Sequence, residues 1–157
     1  MKPPHLTWCF AFLLLTIGIA VAGLASQAQP PVATTQDTQR ILIHMKEYTA
    51  EIHATYMALE LADRLQHSGA NVTLFLELRA VRLADDQIAG AIRPVPGFRP
   101  FSEIYKSLVD NGGQVLVCHH CSEVAEISPD HLRKGARMAD VEDLSRAILS
   151  AHKILDY

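Results

Sequence analysis

The sequence predicts an α/β fold: a three-layer α/β/α sandwich around a mainly parallel five-stranded sheet. Three observations carry that prediction. From Arg40 onward, short apolar runs alternate with amphipathic stretches, the order that successive βαβ units produce. The runs are apolar at consecutive positions, so both faces of each strand are covered, as parallel sheets require. Ser68-Gly69, Gly112-Gly113, Ser128-Pro129 and Gly135 fall between the segments and not inside them, where turn residues belong.

RILIHM (40–45) is the first strand. EIHATYMALELADRLQHSG follows, with Ala54, Ala58, Leu61, Ala62 and Leu65 at helical spacing on one face. NVTLFLEL (71–78), rich in β-branched and large apolar residues, is the second strand. Residues 79–100 are broken by Arg79, Arg82, Asp85 and Asp86, and PVPGFRP (94–100) is loop. Phe101, Ile104, Tyr105, Leu108 and Val109 then form a helical stripe that Gly112-Gly113 stops. QVLVC (114–118) is the third strand. Ser128 caps a short helical turn with Pro129 at its first position. Ala136 to Met138 form a brief fourth strand, and Asp140 caps the last helix, with Val141, Leu144, Ile148 and Ala151 as its expected buried face. KILDY (153–157) is a terminal fifth strand.

The first residues are of another kind. Lys2 and His5 precede the uncharged stretch WCFAFLLLTIGIAVAGLA, and a polar segment follows. A basic end, an apolar stretch and small residues make a secretory signal. Residues 1–28 are therefore expected to be a signal peptide cut after Ala28, with Ala20-Val21-Ala22 as a second site, or else an uncleaved N-terminal anchor. Residues 29–39 read as a flexible linker, and 40–157 as the α/β domain. Either fate of the segment places the domain outside the cytoplasm, periplasmic or membrane-anchored facing the periplasm. The 157 residues carry a net charge of −3, which gives no electrostatic support for nucleic-acid binding. Cleavage removes Cys9 and leaves Cys118 and Cys121.

Exported proteins use cysteines mainly to clamp distant parts of the chain. A bridge that closes only two intervening residues restrains little unfolded-chain entropy, so stapling is a poor use of this pair. If QVLVC is a parallel strand, Cys118 lies at its carboxyl end, where sites in open α/β sheets gather. A helical turn begun by SEVAEI would direct backbone N–H groups at the thiols and lower their pKa, and His119 and His120 would add charge or relay protons. The residues leave several chemistries open. Cys118 could hold a sulfane sulfur as a persulfide that Cys121 releases, or the pair could cycle between dithiol and disulfide. Cys118, Cys121, His119 and His120 could bind a metal, although no second ligand pair stands at suitable spacing. Two packed, inert cysteines are the structural alternative. No cofactor is called for.

The stretch VLVCHHCSEVAEISPDHLRKGARMADVEDLSRAILSAHKILDY resembles the DsrE/DsrF-like family of small sulfur-relay proteins, and HATYMALELADRLQHSGANVTLFLE is similar to its first helix and second strand. The resemblance runs from Arg40 to Tyr157. It implies a compact α/β/α domain that assembles into homo- or hetero-oligomers and passes sulfur as a persulfide between a sulfur-donor and a sulfur-acceptor protein. It also implies Cys118 as nucleophile and Cys121 as its companion. The chain departs from the family in its export signal and in ELRAVRLADD, which lacks the Gly-containing turn common after the second strand. His53 matches a histidine often seen at the start of the first helix and is a candidate anion-binding group. His44 ends the first strand at the same rim, Arg79 and Arg82 are candidate groups for a sulfur oxyanion, and Glu47 and Glu51 offer no acid/base pair. The alternative from another class is a non-enzymatic module that binds a metal or small anion at the Cys/His-rich rim.

Overall fold

The computed structural model describes residues 38–157. The expected signal segment and residues 29–37 of the expected linker lie outside the described residues. The element order is β1 (Arg40–Met45), α1 (Ile52–His67), β2 (Asn71–Leu76), α2 (Phe101–Asp110), β3 (Gln114–Cys118), α3 (His119–Val124), β4 (Ala136–Ala139), α4 (Val141–Ser150) and β5 (Lys153–Asp156). The strands form one sheet in the order β4-β3-β2-β1-β5, and every pairing is parallel. The five-stranded sheet flanked by helices is therefore the predicted class. Among the described residues, no helix is long and apolar enough to cross a membrane.

The two faces of the sheet are covered unequally. Alternate residues of the strands, Ile41, Ile43, Met45, Val72, Leu74, Leu76, Val115 and Val117, face α1 and α2 in the main core. Each of these side chains contributes roughly 1.5–3 kcal/mol by leaving water. On the opposite face Leu42, Phe75, Leu116 and Ala139 form a small cluster against Leu144, Ala147 and Ala151. Only α4 contributes a helix to that layer's core.

Four expectations are corrected. The second strand ends at Leu76, not residue 78, and Leu78–Ala84 winds into a 3₁₀ helix that buries Ala80, Val81, Leu83 and Ala84. Leu78 starts it in a left-handed conformation (φ 47°), which turns the chain out of the sheet at a position that favours glycine. The buried face of α1 is Thr55, Ala58, Leu59, Glu60, Ala62 and Asp63 instead of the purely apolar stripe. Thr55 donates its hydroxyl to Tyr48 O at 2.7 Å, and Arg99 pairs with Asp63 Oδ2 (2.9 Å) and Glu60 (3.3 Å), which offsets part of the cost of burying these carboxylates. In α4 the Asp140 cap is as expected, its Oδ1 accepting the Asp143 N–H at 2.8 Å. Of the expected buried face, Leu144 and Ala151 pack on the small cluster, but Val141 and Ile148 are 74% and 42% exposed, because that cluster is too narrow to cover the helix. Finally, the helix after β3 begins at His119, directly behind Cys118, and not after Cys121.

The segment from residue 79 to 100 is tied down by charge. Arg133 donates to Leu83 O at 3.0 Å and to Ile88 O, and Ser102 N–H donates to Gly90 O at 3.1 Å. Ser128 and Pro129 open the predicted turn, with Asp130 N–H donating to Ser128 Oγ at 3.3 Å.

Candidate functional site

Cys118 ends β3 and serves as N-cap of α3. The Cys121 backbone N–H donates to its sulfur at 3.4 Å, and buried Ser122 donates its hydroxyl to Cys118 O at 2.9 Å. The cysteine is thereby fixed from both sides by the turn that follows it. Both thiols are half-buried and free.

The thiol does not carry the lowered pKa expected from the sequence. Burial pushes Cys118 above the ordinary thiol value, and a hydrogen bond shared with the Cys121 side chain adds to this. The Cys121 backbone N–H acts in the other direction but is outweighed, and the Glu77 charge raises the value further. The reason is geometric: Cys118 packs against both apolar clusters, and low-polarity surroundings disfavour a thiolate.

A charged row lies on the same face of the sheet. Leu76 and Val117 are the last pair of the β2–β3 ladder; Glu77 continues from Leu76 with extended dihedrals, as Cys118 continues from Val117, and Cys118 pairs with Ala139 of β4. In the adjoining row His44 pairs with Asp156 and Phe75. His44 Nδ1 lies 2.8 Å from Asp156 Oδ1, and the ring stacks on Phe75 with centroids 5.4 Å apart. His44 Nε2 stands 3.2 Å from Glu77 Oε2, near enough for an ion pair but out of line for a hydrogen bond, so this buried nitrogen has no hydrogen-bond partner. Lys46 bonds the other oxygen of Asp156 at 2.7 Å and, as the largest cause, holds that carboxyl below its usual range.

Beside Cys121 opens a cleft of about 460 Å³ lined by Leu78, Arg79, Arg82, His120 and Val124. Arg79 is held away from free anion-binding duty by two hydrogen bonds to Glu47, at 2.8 and 2.9 Å, whereas Arg82 forms no ion pair among the described residues. Of the sequence candidates, Cys121, His120, Arg79 and Arg82 line this cleft, while Cys118 stands one helical turn before Cys121 and does not line it. His119 and His120 are exposed and turn toward Glu123, at 3.5 and 3.7 Å. His53 is exposed at the start of α1 and takes part in no hydrogen bond or ion pair among the described residues. No three His, Cys, Asp or Glu side chains among the described residues converge as a metal-holding group, so the set Cys118, Cys121, His119 and His120 is not assembled as a ligand cage.

Glu77, Asp156 and Leu78 went unread in the sequence. The available signal was alignment: the acid just after the β2 run and the cysteine ending the β3 run fall opposite each other once the strands are laid in parallel.

The fold is similar to that of two solved structures. The YchN protein from E. coli matches with a TM-score of 0.62 at 24% identity, over 76% of this chain and 99% of that one. A protein of unknown function, MTH1491 from Methanobacterium thermoautotrophicum, matches with a TM-score of 0.59 at 11% identity, again over 76% and 99% of the two chains. None of the curated proteins compared with the chain matches it. The family model that describes the DsrE/DsrF-like family matches residues 39–157. With the described domain matched almost end to end and a cysteine pair at the rim of its parallel sheet, the chain belongs to the DsrE/DsrF-like family, whose proteins act in sulfur relay with partner proteins.

Proposed function

We propose that the protein is an exported sulfur carrier, in which Cys118 accepts a sulfane sulfur as a persulfide and Cys121 helps release it to a partner protein. The observation that carries this reading is the turn Cys118–Ser122. It holds one sulfur at the carboxyl end of a parallel strand, with the Cys121 backbone N–H donating to it and a second thiol on the same turn. That is the edge of the sheet at which loops leave room for a partner. Release has two routes: a partner thiol that attacks the outer sulfur of the Cys118 persulfide takes the sulfane sulfur and leaves Cys118 reduced, whereas Cys121 attack on the inner sulfur releases it as hydrosulfide and leaves a disulfide. Export rests on the N-terminal apolar segment. Assembly with further copies is supported by Val141, Ile148, Leu149 and Ile154, large apolar side chains left exposed on α4 and β5.

A second reading, dithiol–disulfide exchange with the same pair, is favoured by the turn that sets the two free cysteines side by side, the Cys121 N–H reaching the Cys118 sulfur at 3.4 Å. As a third use, the cleft beside Cys121 suits a small anion, since Arg82 on its wall forms no ion pair among the described residues. The deciding experiment loads the protein with inorganic polysulfide, removes excess donor, and adds a reduced acceptor protein bearing one thiol. Sulfur carriage transfers a sulfur atom to the acceptor, and Cys118→Ser abolishes it. An acceptor that gains no sulfur but becomes oxidised as a Cys118–Cys121 disulfide is reduced would favour dithiol exchange instead.

A further inference from the structure

We propose that Glu77 is the base of the sulfur-accepting step: its carboxylate takes the Cys118 proton as the thiol attacks, while His44 and Asp156 act as positioning residues. This rests on the sulfur-carrier reading. Glu77 follows β2 with extended dihedrals (φ −132°, ψ 175°), so the alternation of faces continues through it, and Phe75, Glu77, Leu116 and Cys118 share one face. Neighbouring strands lie about 4.8 Å apart, and the Glu77 charge is felt at the Cys118 sulfur, where it opposes the thiolate. One carboxylate oxygen meets His44 at 3.2 Å, and Glu77 makes no other ion pair or side-chain hydrogen bond among the described residues. Its remaining oxygen is therefore uncommitted.

The other groups at hand do not offer the same service. His119 and His120 are exposed and associate with Glu123, and Cys121 is the second thiol. His44 is faced by Asp156 and Glu77, with Lys46 beyond Asp156. A carboxylate beside a half-buried thiol makes a resting thiolate unfavourable, so the proton must leave in step with S–S bond formation. In that step Cys118–SH gives its proton to Glu77, its sulfur forms a bond to the terminal sulfane sulfur of a persulfide or polysulfide donor, and the donor's S–S bond breaks. The departing thiolate then takes the proton from Glu77. Cys118 is oxidised to the persulfide and the donor sulfur that leaves is reduced, with no further reactant.

Electrostatics and proton transfer predict opposite outcomes for one variant. Glu77→Gln removes a charge that opposes the thiolate, so alkylation of Cys118 by iodoacetamide should reach half-maximal rate at lower pH than in the unsubstituted protein. Uptake of sulfur from inorganic polysulfide at neutral pH, read by mass, should instead slow by about 100-fold, the typical contribution of a positioned base. His44→Gln should slow uptake less and alter its pH profile. Glu77→Asp, which keeps the charge but retracts the oxygens, is the second variant and must also slow uptake. Uptake by Glu77→Gln or Glu77→Asp as fast as in the unsubstituted protein overturns the base assignment and leaves sulfur carriage standing. No uptake by the unsubstituted protein defeats both.

Discussion

The Cys121 backbone N–H donates to the Cys118 sulfur at 3.4 Å, so the second cysteine orients the first as well as standing beside it. The spacing of the pair places residue 121 one helical turn beyond 118, where an N-cap side chain meets its donor. The motif thus works as a cap made of sulfur.

The two roles of Cys121 separate in a variant. Cys121→Ala keeps the backbone N–H, which lowers the Cys118 pKa, and removes the thiol, whose hydrogen bond and charge raise it. The sign is therefore downward: the pH midpoint of Cys118 alkylation shifts to lower pH. A rising or unmoved midpoint would mean that the thiol contact is not made in solution.

Leu78 carries strain where the sheet hands over to the cleft. Its φ of 47° costs an L-residue roughly 1–2 kcal/mol, and its half-exposed side chain lines the cleft. Leu78→Gly should raise stability by roughly 1 kcal/mol in urea denaturation. A loss of stability would show that the side chain packs more favourably than its backbone is strained.

The start of α4 depends on one carboxylate. Asp140→Ala removes the acceptor for Asp143 N–H and should cost about 1 kcal/mol of unfolding free energy. Asp143 itself is held below the usual carboxylate range by Arg137 first and Arg146 after desolvation. The stability it contributes is present above its unfolded pKa and fades as pH falls through the lowered folded value. Asp143→Asn should therefore flatten the acid limb of a thermal-stability profile, and an unchanged limb would assign acid sensitivity elsewhere.

The sheet was legible because its strands are apolar at consecutive positions, as in RILIHM and QVLVC, and punctuated by glycine. The α4 face was misread for a physical reason: Val141 and Ile148 follow the same period as core residues, and periodicity cannot say whether a partner surface exists to cover them. The α1 face was misread because Glu60 and Asp63 are buried against Arg99, a contact spanning 36 residues for Asp63. At the site, Cys118 and Cys121 announced themselves by spacing. Their environment did not. Whether a thiol is lowered or raised depends on what packs against it, and Phe75 and Ala139 reach the same face from the strands on either side. Likewise Glu77 gains meaning only from the register that aligns it with Cys118.

The most direct test is to treat the full chain with inorganic polysulfide and map any added sulfur by peptide mass spectrometry. The account predicts one extra sulfur atom on the Cys118 peptide, removed by dithiothreitol, kept in Cys121→Ser and absent in Cys118→Ser. Sulfur found on Cys121 alone, or on neither cysteine, would contradict it.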